Sequence, residues 1–234
     1  MACILKLIMW ALIFLNSGVC SITLPKITDR KFIDENVKEH NRARSSVSPP
    51  ASNMKEMTWD DELAITAKGW AQQCLFDHNP RRAHPNFTSV GENIWTGVPP
   101  SSFDVAGAIQ SWVNEKQYYD FNSQACTKVC GHYTQVVWAS SYKVGCAANL
   151  CPNGVKESGF GRREGVIFVC NYAPAGNVRG RKPYESNGAT CPGCEGSSGS
   201  NYLAVLVTRP IALILTFVAA HVVRHFYPDI FCYE

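Results

Sequence analysis

The stretch CGHYTQVVW, residues 130–138, decides how this chain is read. His132 follows a Cys-Gly pair and leads into the apolar Val136-Val137-Trp138. No serine nucleophile stands beside it, and no second histidine lies three or four residues away to complete a local metal pair. A lone histidine at the start of an apolar run is more often a satisfied core residue than a ligand. Its role therefore depends on which other ionisable groups the fold brings to it.

Three such groups are hard to explain as packing or as solvated surface. His78 lies one turn past Cys74, beside Pro80. Glu92 sits inside GENI, residues 91–94, between a glycine and an amide. Glu115 falls on the helical face of Ala108 and Trp112 and so points toward the core side. An inward carboxylate without a partner costs several kcal/mol or changes its protonation. Two Glu and two His can satisfy one another or share a divalent ion. The spacing is not that of a local zinc motif, since neither H-E-x-x-H nor paired C-x-x-C knuckles occur. His84, beside Pro85 and a glycosylation sequon, is a spare ligand candidate better read as a loop residue.

The chain has 234 residues, 46% of them hydrophobic and 18% charged, enough to bury a sizeable core. A net charge of +3, without a basic run interleaved with aromatics, gives no argument for nucleic acid. Eleven cysteines point to an oxidising compartment or to metal sites. The N-terminus favours the first reading: Lys6, an apolar core at 7–15, and small residues Gly18 and Cys20 make residues 1–20 a secretory signal. Asn86-Phe87-Thr88 is a sequon, which places a surface loop there and makes Asn86 a glycosylation candidate.

A globular body is expected over residues 28–184, followed by a hinge and Gly/Ser linker at 185–201. Residues 202–223 are long and apolar enough to span a bilayer, with Arg209 and Pro210 inside the run. Arg224 and His225 open a short tail, 224–234, and fit a cytoplasmic flank. These features predict a single-pass cell-surface protein with its body outside. Attachment through a glycosylphosphatidylinositol anchor, or secretion, is the alternative.

Within the body, Ile33, Val37, His40, Asn41 and Arg44 share one stripe of a helix over 29–44. Thr58 with Asp61 reads as a capping box for a second helix carrying Leu63, Ala67, Trp70 and Cys74. Val105, Ala108, Ile109, Trp112 and Val113 mark a third, starting near Asp104. Residues 143–150 and 166–172 read as strands. Helices first and strands later predict an α+β fold with a small, largely antiparallel sheet. Nucleophile elbows, phosphate loops and dinucleotide fingerprints are absent.

GHYTQVVWASS at 131–141 resembles the first signature of the CAP superfamily, which unites cysteine-rich secretory, antigen 5 and pathogenesis-related 1 proteins. FVCNYAPAGN at 168–177 is similar to the second signature, HNRAR at 40–44 to the H-N-x-x-R motif, and GENI at 91–94 to its namesake. HPNFTSVGENIWTG at 84–97 and the HFYPD tail resemble the glioma pathogenesis-related branch. The resemblance implies an α-β-α sandwich with an open cleft holding two histidines and two acids. By motif these are His78, Glu92, Glu115 and His132, a set able to take zinc or another divalent cation. His40 and Asn41 are then expected to lock their helix to its surroundings.

The same resemblance implies the disulfides Cys74–Cys151, Cys146–Cys170 and Cys126–Cys130. Cys191 and Cys194 open a family-type hinge that stops early, leaving both without their usual partners and omitting the channel-regulatory domain. The expected role is therefore an extracellular binding or signalling module rather than an enzyme. The superfamily includes binders of sterols and fatty acids, and residues 118–121 (YYDF) open a loop that would flank such a site. A metal-dependent hydrolase, or an adhesion scaffold with a vestigial cleft and an unidentified protein partner, are the alternatives.

Overall fold

The computed structural model describes residues 22–186. The expected signal peptide, most of the linker, Cys191 and Cys194, the apolar segment 202–223 and the tail lie outside the described residues. Among the described residues, no helix is long and apolar enough to cross a membrane.

Helix α1 is Arg30–Ser45, and it buries Phe32, Asn36, Glu39, His40, Ala43 and Arg44. The buried stripe is thus turned by about one residue from the expected one, and Ile33 and Val37 are only half-buried. The cause is Phe32, whose ring packs edge-on against Trp59 (6.1 Å) and Phe168 (6.3 Å) and takes the central position. Strand β1 is Thr58–Trp59, and helix α2 is Asp61–Ala71. Its cap is Asp60, which accepts the Leu63 N–H at 3.1 Å, and not the expected Thr58, which sits in β1. The helix also stops at Ala71, short of Cys74, whose φ of 49° is incompatible with continuing it.

Strand β2, Gly91–Gly97, follows, then helix α3, Val105–Asn114, capped by Asp104 on the Gly107 N–H (2.8 Å). A 3-10 turn at Glu115–Tyr118 leads to the short hairpin β3 (Tyr119–Asp120) and β4 (Ala125–Cys126). Helix α4 is Gly131–Val136, strand β5 Lys143–Cys151 and strand β6 Gly165–Ala173. Strands are therefore interleaved with helices and not confined to the second half. GENIWTG does not read as a strand from sequence, because its terminal glycines and central Glu and Asn hide the period-2 signal.

The sheet order is β1-β5-β6-β2, antiparallel except for the β1–β5 pair. Every residue of central β6 is buried, and its side chains alternate between two cores. Phe168, Cys170 and Tyr172 meet Phe32, Trp112 and Val136 on one face. Ile167 and Val169 meet Ala67, Ala71, Ile94 and Ala147 on the other. Helix α2 covers the second face, and α1, α3 and α4 cover the first, which makes the expected α-β-α sandwich.

Among the described residues, three disulfides join Cys74 to Cys151, Cys146 to Cys170 and Cys126 to Cys130. The end of the body is stitched down: Ala139 N–H donates to Pro183 O (2.7 Å), Ser52 N–H to Glu185 O (2.8 Å) and Glu185 N–H to Asn53 Oδ1 (2.9 Å).

Candidate functional site

The four ionisable residues form two imidazole–carboxylate pairs. His78 Nδ1 lies 2.8 Å from Glu92 Oε1, and His132 Nδ1 lies 2.7 Å from Glu115 Oε1. A carboxylate only accepts, so each Nδ1 carries a proton, and the tautomer this sets is the one whose lone pair sits on Nε2. Neither Nε2 has a protein partner among the described residues. Both rings reach solvent: the His78 side chain is 57% exposed and that of His132 26%.

Glu92 is buried, Glu115 is partly buried, and both carboxylates are heavily used. Glu92 has no side-chain exposure. Its Oε1 also accepts the Asn79 N–H (2.9 Å) and faces Arg82 Nη1 at 3.7 Å, while Oε2 accepts from the Asn171 amide at 3.3 Å. Glu115 Oε2 accepts the backbone N–H groups of His132 (3.0 Å) and Tyr133 (3.2 Å). These are orphan donors of the first turn of α4, so Glu115 caps the helix that carries His132.

Edge strand β2 separates the pairs. Glu92 shares the face of Ile94, toward α2, whereas Asn93 points the other way and donates to His132 O at 3.0 Å. The pairs therefore flank the sheet edge, and among the described residues no group of three or more His, Cys, Asp or Glu is arranged to hold a metal ion. Trp112 lies parallel to the His132 ring (6.2 Å between centroids, 13°) and stacks on Phe168 beneath (5.5 Å, 10°), which fixes the ring's plane.

His40 and Asn41 serve the frame. His40 Nδ1–H donates to Asn36 O (2.7 Å), and its Nε2 accepts from Tyr172 O–H (2.9 Å). Tyr172 oxygen in turn accepts from the Asn93 amide (3.3 Å), so one chain of hydrogen bonds ties α1 to the site. Burial lowers the His40 pKa to about 4, which keeps the ring neutral. Asn41 exchanges two hydrogen bonds with the Met57 backbone. His84 holds a loop: its Nε2 faces Asp60 Oδ1 (3.2 Å), and its Nδ1 accepts the Asn86 N–H (3.0 Å). Asn86 itself is exposed in that turn.

Asn93 and Asn171 are site residues that spacing does not single out, and Trp112 reads from spacing only as part of its helix's apolar face. The amide inside GENI was the one available signal for Asn93. The aromatic loop 118–121 packs inward, with Tyr119 against Tyr133 (6.1 Å) and Phe121 stacked on Tyr184 (4.7 Å). It borders a cavity of about 570 Å³ lined by Ala43, Val47, Val113, Tyr119, Phe121 and Tyr133, with Lys116 among its polar lining residues.

This fold and paired site place the chain in a known class: it belongs to the CAP, or cysteine-rich secretory protein, family, whose model matches residues 37–172. It is 50% identical over 198 residues to mouse glioma pathogenesis-related protein 1, covering 83% of this chain and 72% of that protein, in keeping with the branch its flanking motifs resemble. Among solved structures it is similar to Schistosoma mansoni venom allergen-like protein 4 (30% identity, TM-score 0.51, 67% of this chain and 91% of that one). It is also similar to NaASP2 with Zn2+ (28% identity, TM-score 0.53, 71% and 91%).

Proposed function

We propose that the chain is an extracellular binding module, tethered to the cell surface through residues 202–223, whose two histidines take a divalent cation. The observation that carries this is the pair of Nδ1–H···carboxylate bonds, which leave both Nε2 atoms free. A histidine ligand is commonly oriented in this way by a carboxylate on its other nitrogen. His78 and His132 are then the ligands, and Glu92 and Glu115 orient them. The donor chemistry suits zinc, and two protein ligands leave positions for water or an outside ligand. NaASP2, a structural relative, has been solved with Zn2+. When bound, such an ion supplies a charged anchor for an anionic or carbonyl group of a partner.

Binding is favoured over metal-dependent hydrolysis because neither glutamate is idle. Each already accepts an imidazole N–H and at least one backbone N–H, which commits both to orienting the histidines instead of serving as general base. Three disulfides support an oxidising, extracellular setting.

Zinc titration of the purified full chain by calorimetry tests this reading, with Trp112 fluorescence as a local reporter. One ion per chain is expected, with binding and the fluorescence change both lost in His78→Ala/His132→Ala. Equal binding by that double variant would sink the proposal.

A second reading, lipid binding, is favoured by the aromatic-walled cavity beside Tyr119 and Phe121. Its size suits an amphiphile such as a fatty acid or a sterol, and Lys116 can meet the carboxylate or hydroxyl head. Val47→Trp should fill the cavity and abolish uptake of a labelled fatty acid without changing zinc stoichiometry. Undiminished uptake would exclude this cavity as the site.

A further inference from the structure

The segment after β6 builds a second surface that neither histidine pair uses. Residues 178–181 form a tight turn: Arg181 N–H donates to Val178 O (3.1 Å), and Gly180 adopts a φ of 76° that a side chain would resist. Asn177, just before the turn, is clamped to α4, donating to Gly131 O (2.8 Å) and accepting from Thr134 O–H (2.7 Å). The turn therefore stands beside the loop closed by Cys126–Cys130, which displays Lys128 and Val129.

Four cations face solvent here: Lys128, Arg179, Arg181 and Lys182. Two rest on aromatic rings, Lys128 over Tyr118 (5.0 Å) and Lys182 over Phe121 (4.4 Å). Among the described residues, none of the four has a carboxylate within 4 Å. The neighbouring acids are Asp120 and Glu185. Asp120 is occupied by Ser123, whose O–H (2.6 Å) and N–H (2.7 Å) hold its carboxyl below the usual range, with Lys182 a smaller cause.

We propose that this face binds a sulfated polysaccharide chain. Unpaired cations spread over two neighbouring loops suit an extended polyanion better than a single small anion. Guanidinium forks match the oxygen geometry of sulfate, and the turn and ring contacts hold the cations in place before binding. A lipid surface fits less well, because the exposed apolar groups here are two valines, Val129 and Val178, with no Trp or Leu to insert. The inference does not depend on the metal reading.

The test is binding of the purified full chain to a heparin octasaccharide, its fully desulfated counterpart, a DNA oligomer of equal charge and phosphatidylserine vesicles, over 50–300 mM salt. Saturable binding to the sulfated octasaccharide is expected, tightest among the four probes. R179S/R181S/K182S should raise Kd at least tenfold and flatten the log–log salt dependence by about two to three charges. R162S/R163S, in the loop at the opposite end of β6, removes two cations elsewhere and should change Kd less than twofold. The proposal is overturned if the octasaccharide does not bind, if the triple variant binds like the parent, if the R162S/R163S loss matches it, or if desulfated glycan, DNA or vesicles bind as well or better.

Discussion

At the scale of single residues, Glu115 performs two tasks with one carboxylate. One oxygen sets the tautomer of His132, and the other takes two backbone N–H groups. Glu115→Gln places an NH2 where acceptors are needed. It should lower stability by about 1–2 kcal/mol and weaken zinc binding by about 10–100-fold, read by urea unfolding and calorimetry. His40 governs the acid limb. Its folded pKa of about 4 lies below the ordinary 6.5, so between those values the unfolded chain binds a proton that the folded chain refuses. Stability should be fully present above pH 6.5 and fall by up to roughly 3 kcal/mol toward pH 4. His40→Gln should flatten the denaturation midpoint over that window. Helical phase made Glu115 readable in the sequence as an inward carboxylate. It did not reveal that the glutamates orient the histidines, because that depends on which ring nitrogen each one meets.

At the scale of elements, α4 has six residues, too few for a helix to persist on its own. It persists because a charge of the right sign stands at each end. Glu115 is at its N-terminus, and the buried Arg44 of α1 donates to Val136 O (2.9 Å) at its C-terminus. Arg44 also donates to the carbonyls of Trp138, Ala139 and Lys55, so all five guanidinium N–H groups are used. Burial lowers its pKa to about 10, and it remains a cation at neutral pH. Arg44→Lys, with three donors and no fork, should cost about 3 kcal/mol or more in urea unfolding. Arg44 was legible as a polar group on a buried stripe, whereas its partners, three of them more than 90 residues away in sequence, were not. Strand β6 was legible because both of its faces are apolar. Strand β2 was hidden because its glycines are demanded by neighbours: a Cβ on Gly91 would collide with the Gln135 side chain.

At the scale of the whole molecule, the disulfides divide by the length of chain they close. Cys74–Cys151 spans 77 residues, and Cys126–Cys130 only 4. Loop-closure entropy then predicts a loss of about 4 kcal/mol for the paired Ser substitutions at the first and about 2 kcal/mol at the second, measured as shifts in the urea midpoint. The layered sandwich was legible through the family that the four motifs resemble, while the separation of the site into two pairs around an edge strand needed the sheet topology. The stitched end of the body has a mechanical consequence. Any tension arriving through the chain beyond Ser186 meets the bonds from Pro183 and Glu185 to residues 139, 52 and 53 before it meets a strand. That seam would yield first, peeling a few residues away like a fuse while the sheet and both histidine pairs keep their shape.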